Sequence, residues 1–184
     1  LEQQPQYVYS PRELSRWMRA LHSAFTDFKD VHPNDFIRLV AHEGLRLFCD
    51  RLVTNEEKTW CQQTLDRVFT STFSISDLTV LQRPILFSRW VDGCYQSVDR
   101  DSLRKYLESR LRVFNEEELN VPLVLFDDVL EHVLRIDRVL RQYLGHLLLV
   151  GESGAGKTVL TRFVAWMNEM QVFQIKVSRR YSLD

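Results

Sequence analysis

Hydrophobic side chains recur every three to four positions through most of the first part of the chain, a spacing that predicts amphipathic helices. The first helix begins after Ser10, because Ser10 and Glu13 form a capping box that pairs backbone N–H groups left without partners at a helix start. A second helix is predicted over residues 34–52, and Thr54 with Glu57 repeats the capping box to open a third. The apolar stripe expected on the first helix contains Leu14, Trp17, Met18, Leu21 and Phe25.

The periodicity weakens in the middle of the chain, where residues 84–87 are either a short strand or a packed loop. A fourth helix is predicted to resume near Asp101. The acidic stretch at 115–118 and then Pro122 interrupt it, because proline cannot continue a helix. We therefore place a domain boundary there and expect residues 1–115 to form an all-α unit.

Residues 116–184 follow a different pattern. A helix is predicted over 126–142, and residues 147–150 form a continuous apolar run of the kind that a parallel sheet buries on both faces. A glycine-rich turn and a helix over 157–167 come next, and residues 172–177 are predicted to be the following strand. This order is the opening βαβ unit of an α/β domain. The predicted fold class is therefore mixed, an all-α subdomain followed by the start of a P-loop α/β domain.

An eight-residue motif joins the first predicted strand to its helix. It fits G-x-x-x-x-G-K-[ST] at every fixed position and comprises Gly151, Glu152, Ser153, Gly154, Ala155, Gly156, Lys157 and Thr158. Backbone N–H groups wrap a polyphosphate only where side chains are small and unusual dihedral angles are tolerated, and the following helix adds positive charge from its N-terminus. Lys157 supplies a mobile positive charge to the β and γ phosphates, and the Thr158 hydroxyl coordinates Mg²⁺.

The motif therefore predicts a binding site for ATP or ADP with Mg²⁺, in which Thr158 is the metal ligand. We add Val159, the next residue of the helix, to the nucleotide-binding set. Glu152 brings a negative charge near the mouth of the loop, where its side chain either weakens binding modestly or points to solvent.

Binding does not imply hydrolysis, which in P-loop ATPases also needs an acidic pair at the end of a later apolar strand. Asp127 and Asp128 follow the apolar residues 123–126 and imitate that pair, but they precede the P-loop. We interpret them as helix-start residues that the helix dipole favours. Few residues follow Thr158, so the sequence is expected to bind nucleotide without itself catalysing turnover, and we assign no catalytic residue.

Composition adds mainly exclusions. The 184 residues carry 24 Lys and Arg against 25 Asp and Glu, so there is no basic excess of the kind that nucleic acid or an acidic membrane selects. Three widely spaced cysteines predict neither a disulfide framework nor a Cys-x-x-Cys metal site and favour a reducing compartment. No apolar run approaches the roughly 18 residues of a membrane span. We expect a soluble, cytoplasmic piece of a longer polypeptide, since the sequence opens without Met and closes just after a strand-like run.

The second half of the chain closely resembles the start of the fourth AAA+ module of the cytoplasmic dynein heavy chains. The segments that carry this resemblance are 123–142, 145–158, 162–168 and 172–177. Upstream, residues 7–17 and 41–52 resemble the helical lid of the third module. The resemblance covers essentially the whole chain.

The resemblance implies a segment of a six-module, ATP-driven ring that moves along microtubules, with the other modules and the dynein accessory chains as partners. It assigns 1–115 to the third module's lid and 116–184 to the N-terminal part of the fourth module. By resemblance to AAA+ lids, Arg12 is the candidate sensor arginine, directed towards the phosphates of the third module. By the same resemblance, Val124, Leu125 and Phe126 lie near the adenine of the fourth site.

Two other function classes stay open on the sequence alone: a helical interaction scaffold whose nucleotide site has lapsed, and a different P-loop NTPase such as a kinase or GTPase. The base-reading N-K-x-D of GTPases is absent from these 184 residues. His42 and Glu43 begin like a zinc-protease helix, but Arg46 stands where the second histidine is needed. We interpret the histidines as structural.

Overall fold

The protein is described by a computed structural model, in which the described residues are mostly helical with one small two-stranded sheet. The described ranges are 4–26, 32–73, 75, 77–118 and 123–175. The chain divides into two compact units, Leu1–Tyr106 and Leu107–Asp184. None of the described helices combines the length and the apolar character that crossing a membrane requires.

Among its described residues, the first unit contains three complete α-helices, of which the second continues into a π-helical turn, and a short 3₁₀ helix. They are α1 (Pro11–Phe25), α2 (Pro33–Gly44), the π turn (Leu45–Cys49), α3 (Asn55–Phe73) and the 3₁₀ helix (Leu78–Leu81). Helix α4 (Arg100–Glu117) spans the division between the units. It ends at Glu117, so the predicted interruption at residues 115–118 falls on its last turn.

Both predicted capping boxes are confirmed. The Ser10 N–H donates to Glu13 Oε2 at 2.9 Å, and the Ser10 hydroxyl donates to the same oxygen at 2.8 Å. The Thr54 N–H donates to Glu57 Oε2 at 3.1 Å, and the Glu57 N–H donates to Thr54 Oγ1 at 3.2 Å. These bonds lie between residues three apart, which is why the sequence alone identifies them.

The apolar stripe predicted for α1 is only partly buried. Leu21 lies in the core, whereas Leu14 and Met18 are each 57% exposed. Trp17 packs closely against α2, where its Nε1–H donates to the Val40 carbonyl at 3.3 Å. A Cβ at Gly44 would lie 3.2 Å from Trp17 Cζ2, so the glycine is what allows this approach of α1 to α2.

The expectation of unpaired cysteines is wrong for two of the three. Cys49, at the end of the π turn, and Cys61 in α3 are joined by a disulfide with a Cα–Cα distance of 6.1 Å, and Cys94 is free. Both joined residues are buried in the core of the first unit. Their separation of 12 positions along the sequence does not predict a disulfide, because the pairing depends on how α2 and α3 pack rather than on any local pattern.

The ambiguous segment at 84–87 is a loop that ends in a short strand. A cis peptide bond joins Arg83 and Pro84, and the strand β1 (Phe87–Ser88) pairs antiparallel with β2 (Gln96–Ser97). Beneath this hairpin, His42 is buried and its Nδ1 lies 2.9 Å from the Ile85 carbonyl. The described residues contain no cluster of three or more metal-ligating side chains.

The second unit is built around α5 (Asp127–Arg141) and α6 (Lys157–Met167). Asp127 and Asp128 lie in the first turn of α5, as expected for helix-start residues. The buried apolar residues of the two helices are Val129, Leu130, Val133, Leu134, Ile136, Leu160, Phe163, Val164 and Ala165. The observed bounds of α6 coincide with the predicted 157–167 helix.

The two strands predicted in this unit are not formed among the described residues. Residues 147–150 and 172–175 have no strand pairing, and Leu148, Val150 and Phe173 are 85%, 86% and 90% exposed. Positions 176 and 177 lie outside the described part of the chain. An apolar run indicates surface that favours burial, but a strand also needs a neighbour for its N–H and C=O groups, and neither segment pairs with the other.

The α1 capping box should make stability depend on pH. The Ser10 N–H bond lowers the pKa of Glu13 from 4.5 to about 2, with the Ser10 hydroxyl as the next cause. A carboxyl whose pKa is lower in the folded state stabilises the fold at neutral pH, and this contribution is lost as pH falls from 4.5 towards 2. Urea unfolding of Glu13→Gln should therefore differ most from that of the wild type above pH 4.5, and the difference should shrink below it.

The matched control is Glu56→Gln, an exposed first-turn glutamate of α3. At neutral pH this substitution should cost less stability than Glu13→Gln, because Glu56 is not the glutamate of a capping box. A pH-independent stability difference between Glu13→Gln and the wild type would contradict the assignment of the capping box as the source.

Candidate functional site

The glycine-rich loop enters α6 through two residues with left-handed backbone. Gly154 has φ 84° and Gly156 has φ 76°, and no atom lies within 4 Å of where a Cβ would stand at either position. Since space is available, the requirement for glycine at both positions is conformational. Gly156 is the N-cap of α6, and no side chain caps the helix there. The first N–H groups of a helix have no intrahelical acceptor, so this end suits an anion.

The side chain of Lys157 folds back over the loop. Its ammonium donates to the Gly151 carbonyl at 2.9 Å and to the Glu152 carbonyl at 2.5 Å. The Ala155 N–H donates to the same Glu152 carbonyl at 3.3 Å, which closes the turn. The loop therefore holds a positive charge at the start of α6 by two main-chain oxygens, an arrangement that favours a polyanion in both charge and donor geometry.

Two threonines in the first turns of α6 have different environments. Thr158 is exposed, next to Lys157. Thr161 donates its hydroxyl to the Lys157 carbonyl at 2.9 Å, inside the helix. Only Thr158 is therefore suited to reach a metal ion outside the helix, in agreement with its place in the motif. A hydroxyl beside an ammonium and a helix N-terminus fits the Mg²⁺ of a nucleotide, which keeps most of its ligands as water and phosphate oxygen.

The eight loop residues and Val159 form one continuous segment at the start of α6, and the other residues predicted to contact nucleotide lie on other elements. Residues 124–126 lead into α5, with Phe126 as its N-cap. Leu125 is buried, whereas Val124 and Phe126 are exposed. Arg12 lies exposed in the first turn of α1, in the first unit, where its backbone N–H donates to Ser10 Oγ at 3.3 Å.

An aromatic cluster between α6 and α4 was not predicted. Trp166 in α6 donates its Nε1–H to Glu117 Oε2 at 2.9 Å, and the Arg110 guanidinium carbon lies 4.6 Å from the Trp166 ring. Phe114 makes edge contacts with both Phe163 and Trp166, at centroid distances of 5.4 and 5.5 Å. The C-terminal half of α4 is thus fastened to the helix that begins at the P-loop. The spacing of aromatic residues along the sequence predicts burial, but it does not identify these partners.

Comparison with known proteins identifies both halves of the chain. Residues 1–58 match the family described as "Dynein heavy chain, ATPase lid domain", and residues 121–184 match "P-loop containing dynein motor region D4". The chain is 60% identical over 182 residues to "Dynein heavy chain, cytoplasmic" of Paramecium tetraurelia, with 99% of this chain covered. It is 54% identical over 184 residues to the protein of that name in Drosophila melanogaster, with 100% covered. The chain spans 4% of the length of each of these relatives.

The loop geometry makes a prediction that does not involve ligand. Gly156→Ala should lower the free energy of unfolding by about 1 kcal/mol, because an alanine has to adopt a left-handed φ. Gly93 has the same φ of 76° and equally open space, but it lies in the first unit. Gly93→Ala is therefore the matched comparison and should lose a similar amount in urea unfolding. Unchanged stability of Gly156→Ala alone would show that the loop adopts a different backbone.

Proposed function

Because the chain belongs to the dynein heavy chain family, we propose that residues 151–158 bind the polyphosphate of ATP or ADP together with Mg²⁺. The observation that carries this proposal is the arrangement at the start of α6. Gly154 and Gly156 keep the helix N-terminus clear of side chains, and Lys157 lies across the loop. Lys157 would contact the β and γ phosphates, and Thr158 would be a ligand of the metal ion.

Charge around the loop supports the same proposal. The Lys157 ammonium and the α6 N-terminus are both positive, and Glu152 is exposed at the loop. The Glu152 carbonyl, rather than its carboxylate, contacts the lysine. A polyphosphate approaching α6 can therefore replace two neutral carbonyl oxygens as the partner of Lys157, a stronger, charge-assisted interaction.

In the parent protein we propose that this segment belongs to a ring-shaped ATPase motor that moves along microtubules. Residues 1–115 would form the lid of the third module and 116–184 the start of the fourth, and the segment would connect the nucleotide states of neighbouring modules. The segment itself would contribute no catalytic group. The proposed location is the cytoplasm, associated with the cytoskeleton, as the names of the relatives suggest. The proposed partners are the other modules, microtubules and the accessory chains, with no role for nucleic acid or membrane.

Two predicted contacts outside the loop stay proposals on the basis of the family. Val124 and Phe126 expose apolar side chains immediately before α5, as residues that pack against an adenine would. Leu125 is buried and would support that surface rather than form it. Arg12, exposed at the start of the lid, would reach the phosphates bound by the third module.

Calorimetric titration with Mg-ATP tests the loop. The wild type should bind, and Lys157→Ala should bind about tenfold to a hundredfold more weakly, since a hydrogen bond to a charged group contributes about 1.5–3 kcal/mol. At about 100 times its Kd, Mg-ATP should add about 2.7 kcal/mol to the free energy of unfolding of the wild type. Equal heats for the two proteins would instead support a scaffold whose nucleotide site has lapsed.

The metal ligand is tested by a pair of matched variants. Thr158→Val should remove most of the gain in ATP affinity that Mg²⁺ gives the wild type. Thr161→Val removes the same hydroxyl one turn further on, where it contacts the Lys157 carbonyl, and should keep that gain. ATP titrations of both variants, with Mg²⁺ present and with Mg²⁺ removed by EDTA, measure this gain. An equal dependence on Mg²⁺ in the two variants would exclude Thr158 as the ligand.

Arg12 is tested in the intact heavy chain, where the rest of the third module is present. Arg12→Ala should weaken nucleotide binding at the third site, whereas Arg19→Ala, another exposed arginine of α1, should not. The two variants are compared by their nucleotide affinity and by their microtubule-stimulated ATP turnover. Equal behaviour would assign Arg12 to the solvated surface of the lid.

A further inference from the structure

We infer that a polar contact between the buried Asp137 of α5 and the half-buried Asn168, at the end of α6, fixes the position of α6 along α5 and so places the phosphate-binding end of α6. This inference rests on the proposed nucleotide site. It assigns a positioning role to two residues that the P-loop motif does not include, one before the loop and one after it.

Asp137 is unusual because it is a carboxylate on the buried face of α5. The residue is 2% exposed, among apolar neighbours of the same helix such as Val133 and Ile136. Its Oδ1 accepts from Asn168 Nδ2 at 2.7 Å and from Arg141 Nε at 2.8 Å. A buried carboxylate without such donors would be strongly unfavourable, and of these two donors only Asn168 comes from the end of α6.

Asn168 connects this carboxylate to the backbone of α6. Its Nδ2 also donates to the Val164 carbonyl at 3.0 Å, and its N–H donates to the carbonyls of Val164 and Ala165. Asn168 is the C-cap of α6. The bond to Asp137 therefore anchors the end of the helix itself, and not only a side chain on its surface.

The apolar contacts of α6 cannot provide this placement alone. Hydrophobic burial is non-directional, so the burial of Phe163 and Val164 holds α6 in the core without a directional bond that defines its position along α5. Sliding α6 by one residue moves its N-terminus by about 1.5 Å and rotates it by about 100°. Such a movement separates Asn168 from Asp137, so the buried carboxylate loses its donor from α6 and keeps Arg141 of its own helix. The Asp137–Asn168 contact therefore favours one register of α6 on α5, as single polar residues do in packed helices.

The anchor and the phosphate-binding end lie at opposite ends of one helix. Asn168 is 11 residues after Lys157, about 16 Å along the axis of an α-helix. The loop itself is glycine-rich and makes few packing contacts, because its function requires an open helix N-terminus. Fixing α6 at its far end gives the loop a defined place without covering it.

Asp137→Leu tests the inference in the full chain. The replacement is apolar and of similar size, so it fits the interface and can leave thermal stability unchanged while losing the register. We expect Mg-ATP affinity to fall at least about fivefold, the lower end of typical coupling between separate positions. Amide hydrogen exchange in α6, measured without nucleotide, should become faster. Asp137→Asn keeps an oxygen acceptor for Asn168 and should bind within about twofold of the wild type.

Glu131→Leu is the matched control. Glu131 lies on the same helix and accepts from Arg135, four residues on, at 2.8 Å, as Asp137 accepts from Arg141. It should change neither the affinity nor the exchange of α6. If Asp137→Leu fails to fold, Asn168→Ala, which keeps the Asp137–Arg141 pair, should show the same two effects.

The outcomes separate this inference from the proposed function. If the wild type binds Mg-ATP and Asp137→Leu or Asn168→Ala changes neither affinity nor exchange, the anchor is overturned. If the wild type binds no nucleotide but the variants accelerate exchange in α6, the anchor stands and the nucleotide site fails. The anchor is also overturned if Asp137→Leu and Glu131→Leu lose the same amount of affinity and if that loss follows the fall in their melting temperatures.

Discussion

The second unit depends on one constraint: α6 must be held firmly while its N-terminus stays uncovered. A helix end that binds a polyphosphate needs its first N–H groups unblocked, and Gly154 and Gly156 provide this by having no side chains and a left-handed backbone. Such a loop contributes little to packing. Stability has to come from the face of α6 that carries Phe163 and Val164, both fully buried. Binding and packing are therefore separated along one helix.

In the first unit, contacts at the N-terminal ends of helices both define and join those helices. Its helices α1 and α3 each begin with a capping box, and the glutamate of each box also contacts a residue far along the chain. Glu13 lies 3.6 Å from Arg51, and Glu57 accepts from the Tyr7 hydroxyl at 2.6 Å. That tyrosine contact is the main reason that the pKa of Glu57 is lowered. The caps thus define where helices start and also help to join them.

What sequence analysis predicted correctly depends on short-range physics. The bounds of α6 and both capping boxes follow from residues within a few positions of each other, and the P-loop follows from a fixed spacing. The disulfide between Cys49 and Cys61 and the exposure of Leu14 were missed, because both depend on which helices pack together. The carboxylate of Asp137 was missed for the same reason: an acidic residue in a helix predicts a solvated face unless its partner is known. The two expected strands are not formed among the described residues, because an apolar composition indicates a need for burial but does not identify a pairing partner.

Two neighbouring contacts near the C-terminal end of α6 hold the helix, while its N-terminus stays uncovered. Trp166 joins α6 to α4 through Phe114 and Glu117, and two residues later Asn168 joins it to α5. A rigid helix that is held at one end by two different helices has little freedom to slide or rotate. The position of its other end is therefore set by the contacts at the held end. Glycines can then occupy the loop of the proposed phosphate site without loss of position. Trp166 and Asn168 both lie near the C-terminal end of α6, so the contacts that hold the helix are separated from the residues that form the loop.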